Sequence, residues 1–297
     1  MNLKNRKVLI TGGSGFIGTH LLQKLEELGA TVDNFDLVNG NNLEDPNDLK
    51  KFVKRKYDYI YHLAGFSGSE KSNQEKIKCL SLNTFSFASL LELLIKYSPN
   101  TKLILSGSRL EYGIPKYLPV DENHPTIPIS IYGLSKLAAT QLALVYHMNY
   151  NLDVTIFRTS NVYGPHKSSS FPGYNLINYF IDQAKKDKEL TIYGKGDQER
   201  DYIFIHDLVD AFVLSFDRKT SGEIYNLGFG KGIQIKSMAK LITKTVGKGR
   251  VTYKPWPKNF QSVETGSYIS DIRKIKSLGF KPKTNFKEGI LKTCQIS

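Results

Sequence analysis

The segment Lys7-Val-Leu-Ile-Thr-Gly12-Gly-Ser-Gly15-Phe-Ile-Gly18 decides the fold. An apolar run ends in glycines spaced Gly12-x-x-Gly15-x-x-Gly18. An amphipathic pattern then runs through Leu21, Leu22, Leu25 and Leu28 to a stop at Gly29. The order is strand, tight turn, helix. Glycines in such a turn let the backbone approach a pyrophosphate, and the helix behind it offers unpaired N–H groups and the positive end of its dipole. Asp36 follows at the end of the next strand. An acidic group there accepts both ribose hydroxyls and repels a 2′-phosphate, and Leu37-Val38-Asn39 bring no Arg or Lys to favour that phosphate. The turn therefore reads as a site for NAD rather than NADP.

Working outward, short apolar and often β-branched runs recur at Lys7–Thr11, Thr31–Phe35, Asp58–His62, Lys102–Ser106 and Val154–Arg158. Helical patterns fall between them, near 16–28, 47–55, 74–97 and 133–150. Strands alternating with helices predict an α/β fold, a Rossmann-type doubly wound parallel sheet. The stretch Leu80–Ile95 is apolar on nearly all sides, and Leu134–Met148 is similarly broad, so both are expected to bury more than one face. Two such helices have surface enough to pack on the sheet and on a second subunit. After Gly164-Pro165 the texture changes. Ser168–Pro172 reads as a loop, Arg200–His206 and Glu223–Leu227 as strands that return to or border the main sheet, and 234–246 as a helix. The expected division is 1–165 for the dinucleotide domain, with return segments near 200–228, and 166–297 for a smaller C-terminal α/β substrate-binding lobe.

The second chemical feature is Tyr132-x-x-x-Lys136, which places a phenol and an ammonium on one face at the start of a helix. A nearby ammonium stabilises phenolate and is expected to lower the tyrosine pKa towards working pH. Upstream, Ser106-Gly-Ser108 closes a strand, where a hydroxyl at the carboxyl edge of a parallel sheet can face the same pocket. Glycine turn and Tyr/Lys pair together suggest hydride transfer at a hydroxyl or carbonyl carbon.

With 297 residues, 40% hydrophobic and 23% charged, the composition is that of a globular chain able to bury a substantial core. The first residues carry no apolar run, so no signal peptide is expected. No apolar stretch is read as approaching the roughly 18 residues that cross a membrane. Cys79 and Cys294 are far apart with no metal-like spacing. They read as reduced thiols of a cytoplasmic protein, with no metal site. The net charge of +13 could mark a nucleic-acid surface. Its lysines (Lys50-Lys51, Lys54-Arg-Lys56, Lys185-Lys186, Lys236 to Lys254) lack interleaved aromatic platforms, however, which favours a solvated surface with some attraction for an anionic substrate.

These elements, in this order, resemble the extended short-chain dehydrogenases/reductases, specifically the NAD-dependent nucleotide-sugar epimerase/dehydratase branch typified by UDP-glucose 4-epimerase. The resemblance covers nearly the whole chain: Thr11–Gly18, Tyr61-His-Leu-Ala-Gly65, Ser106–Gly113, Tyr132-Gly-Leu-Ser-Lys136, Arg158–Pro165, Gly194–Tyr202, His206-Asp207-Leu208 and Tyr225-Asn-Leu-Gly228. It implies that Gly12, Gly15, Phe16, Ile17 and Gly18 cradle the NAD pyrophosphate, with Asp36 on the adenosine ribose. It puts Asn42 and Leu43 near adenine, although the branch usually has Asp-Ile or Asp-Leu there. Leu63, Ala64, Gly65 and Ser106 line the dinucleotide, and Asn83 supports the site from its helix. Tyr132 becomes the acid/base, Lys136 holds the nicotinamide ribose, and Ser108 is the catalytic hydroxyl. Ser108, Arg109, Asn161 and Arg200 contact a nucleotide-diphosphate sugar, Asn161 and Arg200 at its phosphates. In a bland reading Asn161 holds a turn, and Arg200 pairs with Asp201 or Asp207. A homodimer is implied as well.

Members of the branch share oxidation of the sugar C4 hydroxyl and differ in the step after it. Dehydratases and decarboxylases carry Asp-Glu or Ser-Glu directly after the catalytic Ser/Thr, where this chain has Arg109-Leu110. Leucine is neither acid nor base, and Glu111, one position later on a continuing strand, points to the opposite side. The expectation is a nucleotide-sugar 4-epimerase. The alternatives are a 4-keto-6-deoxysugar reductase, another epimerase such as one acting at C2, or a non-catalytic NAD- or RNA-binding relative.

Overall fold

The structure, a computed structural model, describes residues 3–165, 175–216 and 218–296. The apolar runs form β1 (Lys7–Thr11), β2 (Thr31–Phe35), β3 (Tyr59–His62), β4 (Lys102–Ser108) and β5 (Val154–Thr159). With the edge strand Glu223–Leu227 they make a six-stranded sheet in the order β2-β1-β3-β4-β5-edge. β1 pairs in parallel with both β2 and β3, and β3 with β4. The register aligns Leu9, Ile60 and Leu103 on one side and Ile10, Tyr61 and Ile104 on the other, all buried. Strands covered on both faces read as continuous apolar runs, which is why they were legible.

Between the strands run α1 (Phe16–Glu27), α2 (Pro46–Val53), α3 (Ser69–Gln74), α4 (Lys76–Leu80), α5 (Ser86–Tyr97) and α6 (Ile131–Tyr150). One core joins Leu9, Ile60 and Leu103 to Leu49 and Val53 of α2, Phe87, Leu90, Leu91 and Leu94 of α5, and Ala139 and Ala143 of α6. The other face carries an aromatic layer: Tyr61 beside Phe212, Phe157 beside Phe212 and Tyr225, and Tyr59 against Phe216. From β1 the chain passes to β2 on one side and then crosses to β3 on the other. The crevice at such a switch point, beyond the carboxyl ends of the strands, is where open α/β sheets bind ligands.

Three expectations change here. The helix near 74–97 is continuous from Lys76 but not regular: α4 runs into a π-helical turn, Ser81–Phe85, before α5 begins. Its burial is one-sided at the front, with Ile77 at 80% and Phe85 at 67% exposure. The continuous helical run Lys76–Tyr97 is also long and apolar enough to cross a membrane by length and composition. Phe87, Leu90, Leu91 and Leu94, however, spend its apolar side in the sheet core, as in the core helix of a globular protein.

The chain divides into two compact units. The first is Met1–Gly113, Thr126–Arg158 and Phe212–Tyr225; the second is Ile114–Pro125, Thr159–Ala211 and Asn226–Ser297. The return to the first unit is thus narrower than 200–228, and the boundary falls before 165. The reason is pairing. Strand Glu199–Phe204 joins Asn161–Tyr163 in parallel and Gly232–Gln234 antiparallel in a separate three-stranded sheet. Ile114–Pro125 joins the second unit because Val120 exchanges backbone bonds with Ile269 and Asp271. That unit also holds the parallel pair Glu189–Tyr193 and Arg250–Lys254, with helices Leu176–Lys185 and Ile235–Val246 packed together. The loop expected at Ser168–Pro172 lies outside the described residues.

Candidate active site

At the first switch-point turn Gly12 has φ +78°, and a Cβ there would lie 2.7 Å from the Ala64 nitrogen. Only glycine fits both the left-handed conformation and that approach. The contact packs the turn against Leu63 and Ala64, whose N–H groups donate to the carbonyl and hydroxyl of Thr11 at 3.0 and 3.3 Å. α1 opens on Gly15, which supplies no side-chain cap, with Phe16 and Ile17 in its first turn and Gly18 buried. Asp36 accepts the Ser14 N–H at 3.0 Å and the Val38 N–H at 3.1 Å. Asn34, two positions before it, donates to Ser14 Oγ at 3.0 Å and leaves its own buried Oδ1 without a partner. A glycine cradle with no room for Cβ atoms, an uncapped helix start and an adjacent carboxylate suit the pyrophosphate and ribose of NAD. Asn42 turns its Oδ1 to the Glu44 N–H, and Leu43 packs in the sheet core. The Leu43 side chain is thus spent on the core, which leaves its backbone for the adenine contact expected near Asn42 and Leu43.

Asn83 braces this edge from the π-helical turn. Its Oδ1 accepts the Phe66 N–H at 2.7 Å, and its Nδ2 donates to Phe66 O at 3.1 Å and Ser135 Oγ at 2.9 Å. One buried amide thus ties the loop after Gly65 to α6.

α6 begins in a network that fixes Tyr132. Ser130 caps the Gly133 N–H, the Ile131 N–H donates to Asn73, and the Tyr132 N–H donates to Ser72 Oγ at 2.9 Å. Three of the N–H groups left over at a helix start are satisfied this way. Gly133 lets α6 come close to the neighbouring turn, since a Cβ there would sit 2.5 Å from Leu110 O. The Tyr132 hydroxyl hydrogen-bonds the Ser108 side chain. One helical turn along, Lys136 donates from Nζ to Ser106 O at 2.7 Å. Ser106, Ser108, Tyr132 and Lys136 are brought together at the carboxyl end of β4, in the first unit.

The electrostatics differ from expectation. Burial pushes the Tyr132 phenol up to about 12; the Ser108 hydrogen bond opposes this and the Glu111 charge adds to it. Burial pushes Lys136 down to about 8, against the pull of Glu111. The expected lowering of the phenol by its lysine is not found: Lys136 spends its hydrogen bond on Ser106, and desolvation outweighs it. His62, at the end of β3, is driven down to about 3, first by burial and then by the Lys136 charge, while its Nδ1 meets Thr11 Oγ1 at 2.9 Å.

Glu111 is also displaced from its expected place. β4 stops at Ser108, and Arg109–Glu111 form a 3-10 turn instead of continuing the strand. The Glu111 carboxylate folds back into the interior, where Oε1 accepts the Ser108 N–H at 2.8 Å and Oε2 pairs with Arg158 Nε at 2.7 Å. The signal was present as Ser-x-x-Glu, the capping-box pattern.

In the second unit, Asn161 donates to Asp201 O at 2.9 Å. Arg200 pairs with Glu264 and donates to Gly266 O and Glu199 O. Neither acid suspected from the sequence holds it. Asp201 is buried and accepts the N–H groups of Phe229, Gly230 and Ser270, and Asp207 those of Lys283 and Thr284.

Comparison with known proteins places this geometry. Residues 8–228 match the NAD dependent epimerase/dehydratase family. A protein of Methanocaldococcus jannaschii, provisionally named UDP-glucose 4-epimerase, is 32% identical over 299 residues, covering 95% of each chain. The UDP-N-acetyl-alpha-D-glucosaminuronate decarboxylase of Bacillus cytotoxicus is 28% identical over 318 residues, 98% of this chain and 97% of that one. The structure of UDP-glucose 4-epimerase from Thermotoga maritima, solved with UDP-glucose, superposes with a TM-score of 0.90 at 29% identity over 98% of both chains.

Proposed function

Because the chain belongs to the NAD dependent epimerase/dehydratase family, we propose that it is an NAD-dependent nucleotide-sugar 4-epimerase. The observation that carries the reading is the assembled Ser108, Tyr132 and Lys136, with Arg109 and Leu110 directly after Ser108 and the Glu111 carboxylate folded inward on Arg158. Decarboxylases and dehydratases occur among the relatives. Loss of water or carbon dioxide after oxidation needs acid/base groups beside the sugar, which Leu110 cannot supply.

Bound NAD supplies the acceptor and the donor of the C4 hydride. Gly12, Gly15, Phe16, Ile17 and Gly18 would hold its pyrophosphate and Asp36 its ribose, while Lys136 would hold the nicotinamide ribose. Tyr132, as its phenolate, takes the proton of the C4 hydroxyl, and Ser108 donates a hydrogen bond to that phenolate or to the sugar oxygen. The 4-keto sugar would then present its other face, and Tyr132 would return the proton to the C4 oxygen. Protons and electrons balance with no net consumption. Arg200 exchanges Glu264 for a substrate phosphate, and Asn161 contacts the same diphosphate. The enzyme is proposed to act in the cytoplasm, in keeping with its two free cysteines, and as a homodimer.

The test is a panel of nucleotide sugars incubated with purified protein. The expected result is C4 inversion without accumulated NADH. Release of carbon dioxide, loss of water or stoichiometric NADH consumption would replace the reading with decarboxylase, dehydratase or reductase.

A further inference from the structure

The first unit buries a charged pair that the proposed reaction does not consume. Glu111 is fully buried and Arg158 is 2% exposed. The two carboxylate oxygens divide their work: Oε1 holds the Ser108 N–H at the end of β4, and Oε2 holds Arg158 on β5. Arg158 in turn donates from Nη1 to the Tyr112 hydroxyl at 3.1 Å and lies over the Tyr112 ring at 4.7 Å. Tyr112 is itself fully buried. A salt bridge so enclosed is a poor source of stability, since desolvation cancels most of the attraction and an apolar pair of similar volume often serves as well.

The pair does provide direction. Ser108 Oγ accepts the Leu110 N–H at 3.2 Å. That contact exists only while residues 109–111 stay in their 3-10 turn, which Glu111 closes from the other side. With a lone pair engaged by Leu110, the Ser108 hydroxyl proton is free to point at Tyr132.

We propose that the Glu111–Arg158 pair is a positioning device for the acid/base site, anchoring the Ser108 turn to β5 so that the Ser108 hydroxyl is held on Tyr132. Glu111 and Arg158 touch neither substrate nor cofactor and act through Ser108. The inference rests on the catalytic reading of Ser108 and Tyr132.

The experiment replaces both charges at near-constant volume, Glu111→Leu with Arg158→Met, a change expected to fold because it leaves no unpaired buried charge. Hydrogen exchange at the Leu110 amide should accelerate about tenfold or more as its acceptor is released. Turnover should fall by roughly 10- to 100-fold with KM and bound NAD little changed, the mark of a group acting in the transition state. Ser108→Ala should then cost almost nothing further in this background, although it is costly in the wild-type chain, because two changes in one chain of contacts are not additive. A Leu110 amide as protected as in the wild type, or a Ser108→Ala cost undiminished in the pair-replaced background, overturns the proposal. If the double variant does not fold, Glu111→Asp keeps the charge but shortens the arm and should show the same two effects; wild-type exchange and turnover in that variant overturn it equally. The exchange measurement needs no turnover. Failure of the catalytic reading shows separately, as near-normal activity in Tyr132→Phe.

Discussion

Single side chains set the chemistry of this site, and burial dominates them. Tyr132 near 12 is a weak acid that needs a donor and a positive neighbour to ionise during turnover. Replacing it with phenylalanine removes the proton carrier and leaves the ring, so turnover should drop at least about 100-fold. NAD should remain bound at the wild-type level, read from the absorbance of released cofactor. Lys136 has a folded pKa of about 8 against an ordinary 10.5. As pH rises from about 8 to 10.5 the folded protein releases this proton before the unfolded chain does, so stability contributed at this residue increases over that window. NAD affinity should move the opposite way, falling above about pH 8 as the ammonium proposed to hold the ribose is lost. Fluorescence titrations flat to about pH 10 would sink that role for Lys136. His62 resists protonation down to about 3, so stability is lost as pH falls from about 6.5 towards 3, by a total on the order of 5 kcal/mol. In His62→Gln, which takes up no proton, urea midpoints should change less across that window. Tyr132, Lys136 and Ser108 were legible as residue types in order. Their pKa values were not, because the sequence shows the ammonium near the phenol and hides both the burial and the Ser106 carbonyl that claims the ammonium.

At the scale of elements, strands read more clearly than the joints between them. β1 and β2 appear at the residues their apolar runs mark. The run near 74–97 reads as one regular helix, yet a π-helical turn separates the short α4 from the longer α5. Its period gives no hint, because the break serves a long-range demand: Asn83 must reach Phe66 and Ser135 at once. Asn83→Ala would leave the Phe66 N–H without its side-chain acceptor, at a cost of about 1–3 kcal/mol. The denaturation midpoint should therefore fall, and NAD content with it as the loop after Gly65 loosens. A variant with wild-type midpoint and full NAD content would mean the brace is dispensable. The turn after β4 is the opposite case. Ser108-x-x-Glu111 is a local signature that can be read without the fold, whereas the Arg158 that completes it sits on another strand.

For the whole molecule, two surface properties matter. The charge is less evenly spread than the lysine runs suggest: Asn226–Ser297, the last segment of the second unit, holds fifteen Lys and Arg against three Asp and Glu, so it carries nearly all of the net excess. The first unit instead exposes apolar side chains on packed helices, with Ile77 and Phe85 before α5 and Leu134, Val145 and Met148 in a stripe along α6. Such a patch is the surface through which the proposed homodimer would form. Phe85→Lys with Met148→Lys should turn a dimer into a monomer in sedimentation equilibrium while leaving the sheet intact by circular dichroism. An unchanged dimer would place the interface elsewhere. By itself the sequence determined the parallel sheet, the NAD turn with Asp36, and the order of Ser108, Tyr132 and Lys136, because each rests on period, glycine spacing or residues close in the chain. Only the tertiary structure decided the partners of Glu111 and Arg200, the loss of Leu43 to the core and the division into units. Those outcomes depend on which distant groups are buried together, and burial sets both the pairing of charges and their cost.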